Sequence, residues 1–445
     1  MPELIFVASH LGYPMDRTPL GGGATVGVQL ARAWARTGGF KLTCVGSGPE
    51  NPAAGIEYHR LPGEDFDLVH LSELRYARFC RRFEAATNDF LRARAASGAR
   101  ACVVVNDISE GPDVRLLARL GYPIVSIWHV DVVDYFNKMY FGGWLAPERV
   151  TGAFEAIRPW AGWAVPDVLQ LVFEKQRQAV KHSRRLVVPS RAMVETLRRC
   201  YRGLNGSGAT LDARAMVVPW GGWDEEFDAA AASARADELR RHFQLGPDTR
   251  VLLTLSRLSP EKGIHLLFDA LSRLERAGRG PRDLCLFICG EAAFMSGTSY
   301  ARRLRRLASR FERFRVFFPG YVSAAEKQAF LTLADLFLSP SVHDSYGLTV
   351  VEALRAGVPV LASDHHGVRE IFAAPQACDP KGGFGRMVSY GSGDPAGRLA
   401  VALGELLADP EALAAMGERA ARAGAAMRFS DAARRIAESA LALAP

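Results

Sequence analysis

Short apolar runs alternate with longer amphipathic stretches along the whole chain. They are LIFVASH, FKLTCVG, ACVVVND, PIVSIWHV and RLVVPS in the first half, and RVLLTLSRL, LCLFICGE, RVFFPGY, LFLSPS and PVLAS in the second. Continuous Val, Leu and Ile runs without polar alternation suit strands buried on both faces, the condition of a parallel sheet covered by helices. Two such sets predict two doubly wound α/β domains. The seam is expected in MVVPWGGWDEEF, Met216 to Phe227, where Pro and Gly cluster. This places a first domain over 1–218 and a second over 219–425, followed by an Ala-rich helical stretch at about 426–445.

A chain of 445 residues accommodates two cores, and 49% hydrophobic with 23% charged residues is a globular composition. The net charge of +7 comes mostly from arginines spread along the chain. It suits phosphate-bearing ligands or anionic lipid, or is a plain compositional bias. No stacking platform or reading motif for nucleic acid is present. The seven cysteines fall mostly in strand-like runs, the pattern of reduced, buried thiols. MPELIFVASH lacks a basic region, and no segment approaches 18 apolar residues. A cytoplasmic protein is expected.

The motifs stand where strands end. LGGGATVGVQLARAW sets Gly21, Gly22 and Gly23 at a helix start, where bare amides cradle a phosphate or form a plain turn. LSRLSPEKG sets Arg257 and Lys262 on one strand-to-helix loop. Two cations there suit a diphosphate; the alternative is a solvated loop with Glu261 paired to Lys262. In SVHDSYGLTVVEALRAGVPVLAS the Ser345-Tyr346-Gly347 turn opens a helix, so the amides of Leu348 and Thr349 address an anion. Asp344 precedes that turn and Glu352 follows it. Carboxylates touching phosphate would repel it, so these two are expected to accept hydrogen bonds from hydroxyl groups on either side. A diphosphate with a polyol at each end is a nucleotide sugar. Asp344 as a helix cap and Glu352 in a salt bridge is the alternative. HHGVREIF, with His366 to Phe372 at its core, is another turn-to-helix step, its backbone suited to a sugar and Arg369 and Glu370 to structural contacts. His129 ends a strand of the first domain, as packing or as a catalytic group.

Taken in order, SRLSPEKG, CGE, FFPGYV, the acid-x7-acid element, EALRAGVPVLAS and HGVREI resemble the GT4 family of retaining glycosyltransferases. The resemblance implies the GT-B fold, two Rossmann-like domains facing each other across a crevice, with the final helix crossing back to the first. It further implies Arg257 and Lys262 on the diphosphate of the sugar donor, Glu352 on the ribose, and the amides after Gly347 on a phosphate. Asp344 would contact the transferred sugar, His129 its hydroxyls near the reacting carbon, and Gly22 and Gly23 would close over the phosphates. A UDP-sugar is the implied co-substrate, with no cofactor and no metal. Two departures stand out: Asp344 is shorter than the family's Glu, and Pro219-Trp220-Gly221 replaces its PNG. Asp65-Phe66-Asp67, the one DxD, reads as surface.

The acceptor is expected at the first domain, whose strand ends carry Asp107, Glu110, Asp131 and Asp134. Several acids around one mouth suit a cationic acceptor such as an aminocyclitol, or are ordinary capping residues. WHVDVVDYFNKMYFGG, with VFEKQ and VVPWGG, is similar to the aminoglycoside branch of the family, which glycosylates 2-deoxystreptamine with glucose or N-acetylglucosamine. Ser72 to Arg100, with Phe79, Phe83 and Phe90 among seven arginines, suits a sheet-covering helix or a helix lying on anionic membrane. The sequence is compatible with a homo-oligomer.

Overall fold

The computed structural model describes residues 1–15, 21–61, 73–131, 133–134, 146–161, 173–202, 204, 210–225, 228–292, 297–374, 383–391 and 393–444. The chain divides into two compact units, Met1–Pro219 with Ser430–Pro445, and Trp220–Phe429.

The first unit carries β1 Glu3–Val7, β2 Lys41–Gly46, β3 Glu57–Arg60, β4 Cys102–Val105, β5 Ile124–Ile127, β6 Arg185–Val188 and β7 Ala215–Val217. They form one sheet in the order β3-β2-β1-β4-β5-β6-β7. All of its pairings are parallel, with Leu4 of β1 between Leu42 and Cys102. Its central strands are buried on both faces, which is why they are apolar throughout. The Arg-rich helix Glu73–Ala96 turns Phe79 and Phe83 into the core against Ile5, Val103 and Leu117. Its apolar face therefore covers the sheet, the first of the two roles open to it from sequence.

The helix Phe429–Leu441 buries Phe429, Ala432, Ala433, Ile436, Ala437 and Ala440, spaced three and four apart as one helical face requires. From Ser430 onward it belongs to the first unit. There the buried Trp34 indole donates to the Ala433 carbonyl at 2.8 Å.

The second unit carries β8 Arg250–Leu255, β9 Leu284–Cys289, β10 Phe314–Gly320, β11 Leu336–Ser339, β12 Val360–Ser363 and β13 Gly385–Val388. Their order is β10-β9-β8-β11-β12-β13, again parallel throughout. Helix Ile264–Arg276 covers the sheet with Ile264, Leu267, Phe268, Leu271 and Leu274. Helix Gly297–Ala308 buries Tyr300, Ala301 and Leu304, leaving Arg302, Arg303, Arg305 and Arg306 exposed.

All ten apolar runs contain strands. The three strands without such a run, β3, β7 and β13, are sheet edges with one flank uncovered. β7 also takes the first residues of the segment expected to be the seam. Among the described residues, no helix is long and apolar enough to cross a membrane. Cys44, Cys80, Cys102, Cys200, Cys285 and Cys289 are buried and unpaired, and Cys378 lies outside the described residues.

Candidate functional site

In a doubly wound sheet, ligands gather beyond the carboxyl ends of the two strands where the winding reverses. In the second unit those strands are β8 and β11. Beyond β8 the chain makes a short 3-10 turn, Pro260–Lys262, and enters helix Ile264–Arg276 through Gly263. Gly263 has φ 64°, and a Cβ there would lie 1.9 Å from the Pro340 carbonyl oxygen. Only glycine lets this loop press so closely on the one beyond β11. The Glu261 carbonyl accepts the amides of Val342 and His343 at 2.8 and 3.2 Å, tying the two loops together.

This packing brings Lys262 Nζ to 2.7 Å from Asp344 Oδ2, in a pair whose side chains are 15% and 25% exposed. Burial pulls the Asp344 carboxyl upward, but the Lys262 ammonium, His365 and His343 outweigh it and hold the group far below its ordinary value. Arg257 lies 3.7 Å from the buried Glu261, which also accepts from Ser259 Oγ at 2.5 Å. Glu261 therefore pairs with Arg257, and the alternative Glu261–Lys262 pair does not form.

Asp344 does not cap the following helix. The cap of Leu348–Arg355 is Gly347, at φ 97°, ψ 55°, with no side-chain bond. That left-handed turn leaves the Leu348 and Thr349 amides at an uncapped helix start. The turn is fixed from two sides. Tyr346 Oη accepts the Gly221 amide at 3.2 Å, and the Gly367 amide donates to the Asp344 carbonyl at 3.4 Å. Trp220 beside Gly221 is only 2% exposed. Glu352, 8% exposed, accepts from both Trp223 Nε1 at 2.7 Å and Lys327 Nζ at 2.6 Å, each on Oε1. The salt bridge foreseen as an alternative is thus made, and a hydroxyl would be received by the other oxygen. Arg369 pairs with Asp364 at 3.1 Å.

In the first unit the winding reverses between β1 and β4. Helix Gly22–Thr37 starts here at Gly21, without a side-chain cap or an acid in its first turn. Asn106 Nδ2 donates to the Gly23 carbonyl at 3.3 Å and to Asp107 Oδ1 at 3.0 Å. Both partners are acceptors, so Asn106 Oδ1 faces His129 Nε2 at 2.9 Å as the acceptor, and Nε2 carries the proton. Burial lowers the His129 ring to about 4, so it is neutral at physiological pH. Asn106 therefore selects the tautomer that presents Nδ1 as a base.

Asp107 accepts from the Ser9 amide at 3.2 Å and Ser9 Oγ at 3.3 Å, and lies 3.8 Å from His10. Asp131 is 2% exposed and receives the Asp134 amide at 2.7 Å, while Asp134 is 4% exposed. Burial pushes the Asp131 carboxyl up to about 6. Asp131 thus has a local partner of the capping kind, and Asp107 is held by Ser9 and His10 from the loop beyond β1. Asp65 to Asp67, and WHVDVVDYFNKMYFGG beyond Asp134, lie outside the described residues. No cluster of three His, Cys, Asp or Glu with metal-holding geometry occurs among the described residues.

Residues 236–423, most of the second unit, match the family described as Glycosyl transferases group 1. The whole chain has the GT-B fold: it superposes on the solved sucrose-phosphate synthase from Thermosynechococcus elongatus with TM-score 0.69, covering 99% of this chain and 98% of that one at 19% identity. Among curated proteins it is 26% identical to the alpha-maltose-1-phosphate synthase of Mycobacterium tuberculosis over 276 residues, 61% of this chain and 65% of the synthase. It is 33% identical to the 2-deoxystreptamine glucosyltransferase of Streptomyces kanamyceticus over 138 residues, 30% of this chain and 33% of that enzyme. Neither alignment spans two thirds of the relative.

Proposed function

We propose that this chain is a nucleotide-sugar-dependent glycosyltransferase of the GT4 type, retaining and metal-independent. It transfers a hexose or N-acetylhexosamine from a UDP-sugar to a small hydroxylated acceptor, with 2-deoxystreptamine as the acceptor to try first. The observation carrying the proposal is the uncapped helix start at Gly347, flanked by Lys262–Asp344 on one side and Glu352 on the other.

In this reading the Leu348 and Thr349 amides and Lys262 hold the diphosphate, Arg257 adds charge at its edge, and Glu352 Oε2 receives a ribose hydroxyl. Asp344, ionised and already paired, accepts from a hydroxyl of the transferred sugar. Gly22 and Gly23 cover phosphate oxygens with backbone amides, and neutral His129 contacts sugar hydroxyls near the reacting carbon. The bond from the anomeric carbon to the phosphate oxygen breaks with its electron pair on that oxygen. The acceptor oxygen bonds to the same face of the carbon, and its proton passes to the departing phosphate. Lys262 and the helix start stabilise the charge that develops there.

The acceptor belongs to the first unit in this proposal, at Asp107, Asp131 and Asp134. Similarity to the Streptomyces enzyme supports 2-deoxystreptamine, while the internal partners of Asp107 and Asp131 leave less free negative charge for a cation than the sequence suggests. The test is UDP release from UDP-glucose and UDP-N-acetylglucosamine, with and without 2-deoxystreptamine, with products weighed by mass spectrometry. Acceptor-dependent release with a product one sugar heavier supports the full reading. Slow hydrolysis without acceptor dependence keeps the transferase and discards the acceptor, and no turnover or binding with any nucleotide sugar refutes both.

A further inference from the structure

His365 follows β12 and precedes helix His366–Phe372, with an extended backbone at φ −73°, ψ 170°. It is 5% exposed, and neither ring nitrogen has a hydrogen-bond partner among the described residues. Such doubly unsatisfied groups are rare in native interiors, because their lost hydration is not replaced. The ring lies against the Gly347 turn, its Cε1 3.7 Å from where a Gly347 Cβ would stand. It is therefore beside the uncapped helix start.

The charged and titratable groups around it are Asp344 and His343 before the turn, Lys262 from the β8 loop and His366 on its own helix. Lys262 and the Asp344 carboxylate are bonded to each other, and the Asp344 carbonyl, which accepts the Gly367 amide, lies close enough to the ring to favour its charged form. Burial is the main reason that the ring is neutral, lowered to about 4; Asp344 and its carbonyl oppose this, while Lys262 and His366 reinforce it.

We infer that His365 is a further ligand-contacting residue, which takes up a proton and hydrogen-bonds a phosphoryl oxygen of the nucleotide sugar held at the Gly347 turn. This rests on the sugar-donor reading above. A protonated imidazole has two N–H groups and a charge, which suits a ring beside a diphosphate; a neutral one offers a single N–H. An anion within about 5 Å favours the charged ring by roughly a hundredfold at an effective dielectric near 20. That is enough to bring its titration close to pH 6. The proton comes from solvent, so sugar-donor binding and pH are linked through this residue.

The experiment is titration calorimetry of the full chain with UDP-glucose, GDP-mannose and ADP-glucose in turn. Their diphosphodiesters carry no group that titrates near pH 6. Runs in MES and Bis-Tris at about pH 6, and in HEPES and Tris at about pH 8, give the number of protons bound with the ligand. The wild type is expected to take up about half a proton at the lower pH and almost none at the higher. His365→Gln is expected to abolish the uptake and weaken binding about twofold at pH 6, with almost no effect at pH 8. In case that variant folds poorly, the His365 Cε1 carbon signal of the wild type is followed by NMR, and is expected to move toward the imidazolium position on adding ligand. Binding without proton uptake and without that movement overturns the inference while leaving the sugar-donor reading intact. It would place a neutral His365 against a hydroxyl or in packing. No binding of any of the three nucleotide sugars overturns both.

Discussion

Lys262 and Asp344 form a largely buried charge pair of the second unit, and each depends on the other. Lys262→Met leaves a largely buried carboxylate without its cation, so a stability loss of about 1–3 kcal/mol is expected by urea denaturation. Adding Asp344→Asn to that variant should restore part of the loss, because the uncompensated charge is gone. At Glu352 two donors hold one oxygen, and Trp223→Phe removes one of them without emptying the space. One hydrogen bond of about 1 kcal/mol predicts KM for the sugar donor rising about fivefold with kcat little changed, measured in the transfer assay. The positions of Asp344, Lys262, Gly347 and Glu352 beside a strand end or in the first turns of a helix were legible in sequence, because each lies next to a run that marks its element. Trp223, Lys327 and His365 were not. Lys327 lies 25 residues from Glu352 on a separate helix, and no local pattern marks that meeting. His365 is visible in HHGVREIF, but its buried and unpaired nitrogens are a property of packing.

At the scale of elements, the loops beyond β8 and β11 work as one piece, locked where Gly263 meets Pro340. Gly263→Ala must either move the Pro340 carbonyl or unwind the left-handed turn. A stability loss of about 1–3 kcal/mol together with weaker nucleotide-sugar binding is expected from thermal melts and calorimetry on the same sample. An unchanged affinity would show that the Lys262–Asp344 contact survives the shift. The strands themselves were readable where both faces are covered, since burial then demands continuous apolar sequence. EYHR, AMV and GRMV were passed over because an edge strand needs no such run. The remaining edge, β10, was readable only because FRVFFPG carries aromatic residues of its own, with Phe317 stacked on Phe287.

For the molecule as a whole, pH response follows from imidazoles that the fold keeps neutral. His129 and His365 are each lowered to about 4 from an ordinary 6.5, principally by burial. The unfolded chain therefore binds more protons than the folded one between those values. Asp131, raised to about 6 by burial, works in the opposite sense below that pH and offsets part of the loss. The net expectation is stability complete above about pH 6.5 and lower toward pH 4, read as the melting temperature across that range. Replacing His129 with Gln should flatten the part of the slope that comes from the first unit. The bond from Trp34 to Ala433 has a different consequence, one of timing. The second unit is a continuous stretch, Trp220–Phe429, inserted into a first unit whose helix from Ser430 onward is made after it. At about 5–20 residues per second, ribosomal synthesis separates Pro219 from Ser430 by roughly 10–40 s. Throughout that interval the first unit lacks that helix, and the second is free to fold before it.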